Sequence, residues 1–435
     1  METSDVTATC AVAAFPGLAA RLIRDEPESL DAYLAAAGYE NRQPAAGGLL
    51  DAIERSGLRG RGGAAFPFAA KARAVRKAAR DRGLAPVAVA NGEEGEPASA
   101  KDRWLLRHRP HLVLDGLRLA AAVTGAGQAY VYLSDPAAAR AVTAARDEAR
   151  AAGRLELPVE ITVVDPAYVA GEETAAVRAI NGGPAKPADK PPRPFQAGVH
   201  NRPTLVSNVE TLANLPFVHR HGADAYRREG THASPGTFLA TVSGGGRPPV
   251  LYELPHGLPF RELLTLHQVP EETVSGVLMG GYFAGLLNRR ALGMSLDHES
   301  TRAVGTGLGC GALAVLSDTD CPVAVAASVM AYFARENAGQ CGSCFNGTAA
   351  MSAVLDALRD GDADDDDLAR LSRWSRVLRG RGACGTLDGA VNLAASLLAQ
   401  FPDSVARHRE RGCDLCAISP FRTARPFEVE AVILA

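Results

Sequence analysis

This chain of 435 residues lacks the marks of several common protein classes. No apolar run reaches the roughly 20 residues needed to cross a bilayer. A net charge of −3 gives no reason to expect nucleic acid or anionic lipid as a partner. Neither a G-x-x-x-x-G-K-[ST] phosphate loop nor an H-E-x-x-H zinc motif occurs. We therefore expect no direct membrane insertion and no nucleic-acid partner, and hydrolase functions have no support.

Lysine and cysteine are also sparse, and both are unevenly placed. Lysine occurs only at positions 71, 77, 101, 186 and 190, which fits an anion-binding region in the first half of the chain. The eight cysteines are too few for a disulfide scaffold, and five of them follow position 340, which indicates metal binding there. The acidic start of the chain differs from a signal peptide, so we expect a cytoplasmic protein.

The most informative motif is the glycine-rich stretch 57–67, which is followed by Lys71. Glycines around Arg61 allow the backbone N–H groups to approach a phosphate closely. The stretch also fits a loose dinucleotide pattern, but that pattern needs a strand before it. Residues 48–58 instead have the apolar spacing of a short helix. The stretch therefore predicts a phosphate-binding loop outside the dinucleotide motif.

Strand-like runs alternate with helices between about residues 45 and 225, as in 86–90, 129–133 and 159–164. This alternation predicts an α/β fold with a mostly parallel sheet. Two loops rich in glycine and glutamate, Asn91–Pro97 and Tyr168–Thr174, follow such runs. Each alone could be a solvated acidic turn. Together, beside the basic glycine loop, they can hold the polar edge of a flavin and a ribose.

The second half of the chain changes pattern twice. Short strands around 237–242 and 250–254 predict a small α+β module of β-grasp type. Beyond Pro322 the apolar spacing predicts a bundle of four helices, at 323–336, 345–358, 368–378 and 387–401.

Cys341, Cys344 and Cys384 each precede one of these predicted helices. Helix N-termini favour thiolates or an anionic cluster. No histidine pair at metal spacing lies nearby, so an iron–sulfur cluster fits better than zinc. Cysteines that only pack between helices are the alternative, and we assign no ligand role to Cys10, Cys310 and Cys321.

The three groups of motifs, in this order, resemble the flavin-bearing, NADH-oxidising subunit of respiratory complex I and related diaphorase subunits of NAD-linked hydrogenases and formate dehydrogenases. The resemblance spans about residues 45–402. It implies an N-terminal extension (1–44), a Rossmann-like FMN-binding α/β domain (45–235), a β-grasp module (236–322) and a helical iron–sulfur bundle with a C-terminal extension (323–435).

The resemblance also implies roles for single residues. It places Glu96 and Glu173 at the nicotinamide as catalytic residues. The cofactor-binding residues that it implies are Gly60, Arg61, Gly62, Gly63, Phe66, Lys71, Asn91, Glu93, Glu94, Tyr168, Gly171, Glu172, Lys190 and Asn208.

The chemistry implied by the resemblance is electron transfer from NADH or NADPH through FMN to a [4Fe-4S] cluster. An iron–sulfur partner, either a thioredoxin-like [2Fe-2S] subunit or a ferredoxin, would then receive the electrons within a hetero-oligomer. The alternative is a subunit that keeps FMN but has lost nicotinamide binding, and that serves ferredoxin-linked electron transfer or acts as a scaffold.

The chain departs from the family at the cluster. Ala338 stands where the family has its first cluster cysteine, so only Cys341, Cys344 and Cys384 remain. A second C-x-x-C pair, Cys413 and Cys416, lies beyond the usual core. We expect Cys413 or Cys416 to supply the missing thiolate, and we name Cys413 as the fourth metal ligand. The alternatives are an incomplete or open cluster, and no iron cluster at all, with a four-cysteine zinc site among the latter.

Two further departures concern the nucleotide and the flavin. Ala74 and Arg193 replace phenylalanines that grip adenine in the family, Phe66 is kept, and Phe195 is a possible substitute. Arg193 would favour NADPH or another donor. Serine replaces asparagine at position 207, where a hydrogen bond is still available.

Overall fold

The structure is a computed structural model that describes residues 8–24, 26–40, 46–418 and 421–432. Its strands are β1 (Ala8–Ala14), β2 (Val87–Asn91), β3 (Gln128–Leu133), β4 (Val159–Val163), β5 (Thr204–Asn208), β6 (Thr237–Gly244), β7 (Arg247–Pro255), β8 (Val274–Met279), β9 (Leu286–Asn288), β10 (Ala312–Ser317) and β11 (Val429–Val432). They form a four-stranded and a seven-stranded sheet.

The helices flank these sheets and dominate the last quarter of the chain. They are α1 (Leu30–Ala35), α2 (Ala46–Ser56), α3 (Phe68–Arg82), α4 (Lys101–His108), α5 (Pro110–Thr124), α6 (Pro136–Ala151), α7 (Glu173–Ile180), α8 (Val209–Ala213), α9 (Leu215–Tyr226), α10 (Phe260–Leu266), α11 (His298–Ala303), α12 (Pro322–Glu336), α13 (Gly342–Asp360), α14 (Asp365–Val377), α15 (Thr386–Gln400), α16 (Pro402–Arg411) and α17 (Asp414–Ile418).

The four-stranded sheet is parallel throughout, in the order β4-β3-β2-β5. Most of β2 and β3 is buried, as expected for strands covered by helices on both faces. The three strands predicted from apolar runs are β2, β3 and β4. All carboxyl ends of this sheet lie at one edge, where ligands bind in open parallel sheets.

The seven-stranded sheet is mixed and contains both ends of the described chain. Its order is β11-β1-β7-β6-β10-β8-β9, with β1 parallel to both β11 and β7. Strand β1 comes from the predicted N-terminal extension, and β11 comes from the C-terminal segment. Both segments are therefore built into the sheet of the region predicted as a β-grasp module.

The four helices predicted after Pro322 are α12 to α15, and α16 follows them. Local sequence explains their ends: Pro322 begins α12, and Gly361 ends α13 with a left-handed φ of 84°. Asp364 and Asp367 cap the start of α14 reciprocally, so the consecutive aspartates 364–367 form the beginning of this helix.

Among the helices of the described ranges, none combines the length with the apolar composition that a bilayer crossing requires.

Candidate functional site

The glycine loop at 57–67 is closed by a backbone hydrogen bond from Gly60 N to Phe66 O, at 2.9 Å. Gly63 takes a φ of 112°, which a residue with a side chain rarely adopts. Helix α3 begins directly after the loop and carries Lys71 in its first turn. The loop thus presents bare backbone next to a lysine.

Four segments converge at the carboxyl edge of the parallel sheet. Asn91 ends β2, Asn208 ends β5, and the two are paired in register. A Cβ atom on Gly62 would lie 3.2 Å from Asn208 Cβ, so the glycine loop touches this edge. Asn91 Nδ2 donates to Gly171 O at 2.8 Å, which draws the second acidic loop to the same place. Glycine at positions 62 and 171 therefore lets these segments pack closely against Asn208 and Glu93, and together they form one edge at which a ligand can bind.

Lysines bind the acidic residues that begin α7. Lys71 Nζ lies 2.8 Å from Val206 O and 3.1 Å from a Glu173 carboxylate oxygen. Lys190 Nζ lies 2.6 Å from Glu172, whose other oxygen caps the first turn of α7. The glycine-rich stretch and the second acidic loop are therefore in direct contact, and Lys190, which the resemblance implied, joins them.

The resemblance implied that Arg61 binds the cofactor, but its side chain points away from the carboxyl edge of the sheet. Only 5% of it is exposed, and its guanidinium donates to Thr237 O at 3.0 Å and to Tyr226 Oη at 3.2 Å. Its backbone N–H donates to Thr211 Oγ1 at 2.9 Å. The side chain therefore fastens the glycine loop to the neighbouring sheet instead of pointing at the carboxyl edge.

Glu93 and Glu94 in the first acidic loop have different surroundings. Glu94 accepts hydrogen bonds from Ser99 Oγ at 2.6 Å and from the backbone N–H groups of Asp102 and Arg103, both at 3.1 Å. It therefore caps α4 and holds the loop in shape. Burial raises the pKa of Glu93 to about 7.

A buried ionic group that we did not assign from sequence lies beneath this loop. Lys101 Nζ contacts Asp102 at 2.6 Å, Glu210 at 3.1 Å and the side-chain oxygen of Asn208 at 3.2 Å. Burial opposes the charge, but the carboxylates of Asp102 and Glu210 prevail and raise the pKa of Lys101. The sequence signal that could have indicated this buried group is the run Lys101-Asp102-Arg103 just after the first acidic loop. This group sets the position of Asn208.

Glu96 lies at the far end of the first acidic loop. Its carboxylate accepts hydrogen bonds from Tyr282 N at 2.9 Å and Ala98 N at 3.3 Å. A Cβ atom on Gly281 would lie 2.5 Å from this carboxylate, so glycine is required there. Burial is the main cause that raises the pKa of Glu96 to about 8.

Tyr168 lies between the acidic loops and α12. Its ring packs edge-on against Phe333 at 5.4 Å and Tyr332 at 5.7 Å between centroids. Burial raises the pKa of Tyr168, and the charges of Glu96 and Cys384 contribute to the rise. Tyr168 therefore lies close both to Glu96 in the first acidic loop and to Cys384.

Of the two phenylalanines expected near adenine, one is exposed and the other packs against the core. Phe66 is 56% exposed, whereas Phe195 packs against the main hydrophobic core. Ala74 is half-buried on α3. Arg193 is exposed, and its guanidinium has no hydrogen-bond or ion-pair partner within the described part of the chain.

Cys341, Cys344 and Cys384 come together where α13 and α15 begin. Cys341 precedes α13, Cys344 lies in its first turn, and Ala383 N donates to Cys341 Sγ at 3.4 Å. Burial, then the nearby Cys384 and Cys341, raise the pKa of the Cys344 thiol to about 12. Three soft ligands at two helix starts fit an iron–sulfur cluster.

A cavity of about 290 Å³ opens beside Cys341, and its lining includes Arg178, Asp189 and Gln340. Ala338 lies in the loop before this cysteine, and its carbonyl accepts a hydrogen bond from Lys186 Nζ at 3.0 Å. Because residue 338 is alanine, its side chain has no atom that could bind a metal, although it lies only three positions before Cys341.

Cys413 lies in a group other than the expected one. Cys321, His408, Cys413 and Cys416 each have one ligand atom within 4.8 Å of those of the others. Cys321 was expected only to pack, and it contacts His408 Nε2 at 3.1 Å. The sequence could not show this group because Cys321 and His408 are 87 positions apart. Cys413 as the fourth cluster ligand stays a prediction, and this geometry does not favour it.

Comparisons with known proteins agree with the two groups of residues. Residues 53–217 match the Nuo51 FMN-binding domain family, and residues 324–408 match the NADH-ubiquinone oxidoreductase-F iron-sulfur binding region. The first match contains both acidic loops, and the second contains the three clustered cysteines. FMN and an iron–sulfur cluster are therefore confirmed as the cofactors.

Individual relatives cover nearly the whole chain. An NADH-quinone oxidoreductase subunit of Rhizobium meliloti is 35% identical over 404 residues, covering 88% of this chain and 95% of the relative. The HndC subunit of the NADP-reducing hydrogenase of Solidesulfovibrio fructosivorans is 32% identical, covering 88% and 81%. A solved NAD⁺-reducing [NiFe]-hydrogenase in its H2-reduced state matches with a TM-score of 0.79 at 31% identity, covering 89% of this chain and 67% of that chain.

These likenesses confirm the mixed α/β fold and the predicted oxidoreductase function, in which electrons pass from NAD(P)H through FMN to an iron–sulfur cluster and on to partner subunits. The chain belongs to the family of FMN- and iron–sulfur-binding subunits of NADH-quinone oxidoreductases, together with the related hydrogenase subunits.

Proposed function

We propose that FMN lies along the carboxyl edge of the parallel sheet in this chain. The convergence of Gly62, Asn91, Gly171 and Asn208 at that edge is the observation that carries the proposal. The close backbone packing that Gly62 and Gly171 allow shapes this edge for the ring, and the glycine loop with Lys71 suits the phosphate. The further residues that we assign to the cofactor pocket are Gly60, Arg61, Gly63, Phe66, Glu93, Glu94, Tyr168, Glu172 and Lys190, with Arg61 acting by fixing the loop.

Bound FMN supplies hydride acceptance from a nicotinamide and release of single electrons to the cluster. Glu96, with a pKa of about 8, holds a proton at neutral pH and can donate a hydrogen bond to the bound nucleotide. Glu173 accepts from Lys71 through one oxygen and has the other available to orient the nicotinamide amide. The two glutamates thus position the nucleotide from opposite acidic loops.

We assign the cluster to Cys341, Cys344 and Cys384, with one iron left without a protein thiolate. Ala338 supports this assignment because its side chain cannot ligate. The cavity beside Cys341 would leave such an iron open to solvent, whereas the Gln340 amide is already engaged by Arg178 and Pro187 O.

We also propose the domain layout that the sequence resemblance implied. We assign 45–235 to a Rossmann-like FMN domain, 236–322 to a β-grasp module and 323–435 to a helical iron–sulfur bundle with its extension, with 1–44 contributing β1. An iron–sulfur protein, thioredoxin-like or ferredoxin, is the proposed partner, and the proposed location is the cytoplasm.

A second candidate is a subunit that takes electrons from a ferredoxin and has lost nicotinamide binding. It is favoured by the loss of aromatic contacts to adenine: of the two phenylalanines expected there, Phe195 packs against the core and Phe66 is exposed. The intact pairing of Lys71 with Glu173 favours the nicotinamide function.

Anaerobic mixing of the purified chain with NADH, NADPH and a reduced ferredoxin separates the two candidates. We expect at least one nucleotide to bleach the flavin absorbance. Bleaching by the ferredoxin, with no change from either nucleotide, would establish the second candidate instead.

A further inference from the structure

The second group of metal-binding side chains is built from distant parts of the sequence. Cys321 precedes α12, His408 lies on α16, and Cys413 and Cys416 flank the start of α17. Their four ligand atoms lie within 4.8 Å of one another. Cys321 is 5% and His408 1% exposed, and the other two are half-buried. The fold thus brings four soft or borderline metal-ligand atoms together at one partly buried site.

The spacing of these atoms matches one tetrahedral ion. With zinc–sulfur bonds of about 2.3 Å and zinc–nitrogen bonds of about 2.05 Å, a tetrahedron has sulfur–nitrogen edges of about 3.5 Å. His408 Nε2 lies 3.1 Å from Cys321 Sγ and 3.8 Å from Cys416 Sγ, on either side of that value. A cubane would place several irons between the thiolates and hold the sulfur atoms farther apart.

The surroundings of the ligands also suit a metal. His408 Nδ1 lies 3.1 Å from Leu358 O, which assigns the ring proton to Nδ1 and frees the lone pair of Nε2. Cys321 is the N-cap residue of α12, so its sulfur lies beside the N-terminus of this helix. A helix N-terminus stabilises thiolate charge.

We propose that Cys321, His408, Cys413 and Cys416 bind one structural zinc ion, separate from the iron–sulfur cluster. Four protein ligands leave no position open for substrate, which is the arrangement of structural zinc sites. The inference is independent of the nucleotide and flavin proposals, because none of these ligands belongs to the flavin edge.

The ion would fix the C-terminal segment that follows it. Ser328 Oγ on α12 donates to Phe421 O at 3.0 Å, and Val429 N donates to Pro97 O at 3.0 Å. The segment therefore runs from α12 to the first acidic loop, and β11 then pairs with β1. A zinc ion bound just before this segment would hold it against α12 and the first acidic loop.

Metal and sulfide analysis of the full, cofactor-loaded chain tests the proposal. We expect one zinc per chain in addition to iron, and we expect Cys413→Ser and Cys416→Ser to lose zinc while iron, sulfide and FMN stay unchanged. Cys341→Ser should do the reverse, losing iron and keeping zinc. Cys10→Ser, at a buried cysteine in β1, should keep both metals.

Two results would overturn the proposal: wild-type protein with full iron and no zinc, or loss of iron and sulfide in Cys413→Ser with zinc unchanged. If the serine variants do not fold, His408→Cys keeps four ligands and allows the same test. Cobalt-substituted His408→Cys should show stronger thiolate-to-metal charge-transfer absorption than cobalt-substituted wild type. An identical spectrum would exclude His408 as a ligand.

Discussion

At the residue scale, Glu96 is the clearest source of pH dependence. Burial raises its pKa from 4.5 to about 8, so the folded chain holds a proton that the unfolded chain releases above pH 4.5. Stability from this group is therefore greatest at low pH and declines as pH rises toward about 8.

Glu96→Gln should remove this decline, because an amide does not ionise. Between about pH 5.5 and about pH 8.5, we expect the melting temperature of the variant to fall by a few degrees less than that of wild type. Glu156→Gln, at an exposed glutamate, is the control and should follow wild type. Parallel pH profiles for Glu96→Gln and wild type would refute a raised pKa at this site. Thermal unfolding followed by circular dichroism gives the measurement.

We expect Arg193 to influence nucleotide choice. Its guanidinium is exposed without a partner in the described ranges, so it is available for a phosphate or an adenine ring. Arg193→Phe should lower KM for NADH by about fivefold, since a stacked ring adds about 1 kcal/mol. It should also raise KM for NADPH. Steady-state kinetics with both nucleotides measure this.

Arg290→Ala, at an exposed arginine near the seven-stranded sheet, is the matched control for loss of positive charge. It should leave both KM values unchanged. If Arg193→Phe also leaves them unchanged, Arg193 does not face the nucleotide.

At the element scale, the two acidic loops depend on close backbone packing. A Cβ atom on Gly171 would lie 2.9 Å from Glu93 O, and backbone at that distance cannot move aside cheaply. Gly171→Ala should therefore separate the loops and raise the dissociation constant for FMN at least severalfold. Gly127→Ala, where a Cβ atom meets nothing within 4 Å, should bind FMN normally. Equal FMN affinity in both variants, measured by flavin fluorescence quenching, would contradict the proposed pocket.

The loop between α12 and α13 determines how many thiolates reach the cluster. Ala338→Cys should add a fourth thiolate, raise the iron content per chain and slow loss of the cluster in air. Ser343→Cys adds a thiol where the wild-type side chain points to Arg381 O, at 2.7 Å, and is the control. Iron analysis and electron paramagnetic resonance follow the change. If Ala338→Cys and Ser343→Cys behave alike, the three-thiolate assignment fails.

At the scale of the whole molecule, local patterns predicted much of the architecture. Strands β2, β3 and β4 and helices α12 to α15 were predicted from apolar spacing, because their burial is set by neighbouring residues along the chain. The pairing of β1 with β11 was not predicted, since these strands come from opposite ends of the sequence and no local pattern records their pairing.

In the candidate site, too, local motifs were predicted from the sequence and contacts between distant residues were not. The loops containing Gly62, Asn91 and Gly171 were found from motifs, and the structure brings them together. The inward turn of Arg61 and the grouping of Cys321 with His408 depend on tertiary contacts, which residue spacing does not encode.

Flavin binding by the purified full chain tests the central claim most directly. We predict a yellow protein with one FMN per chain, and Lys71→Met should weaken FMN binding because the lysine beside the glycine loop is lost. A colourless protein that stays colourless after incubation with FMN would contradict the account, whatever its metal content.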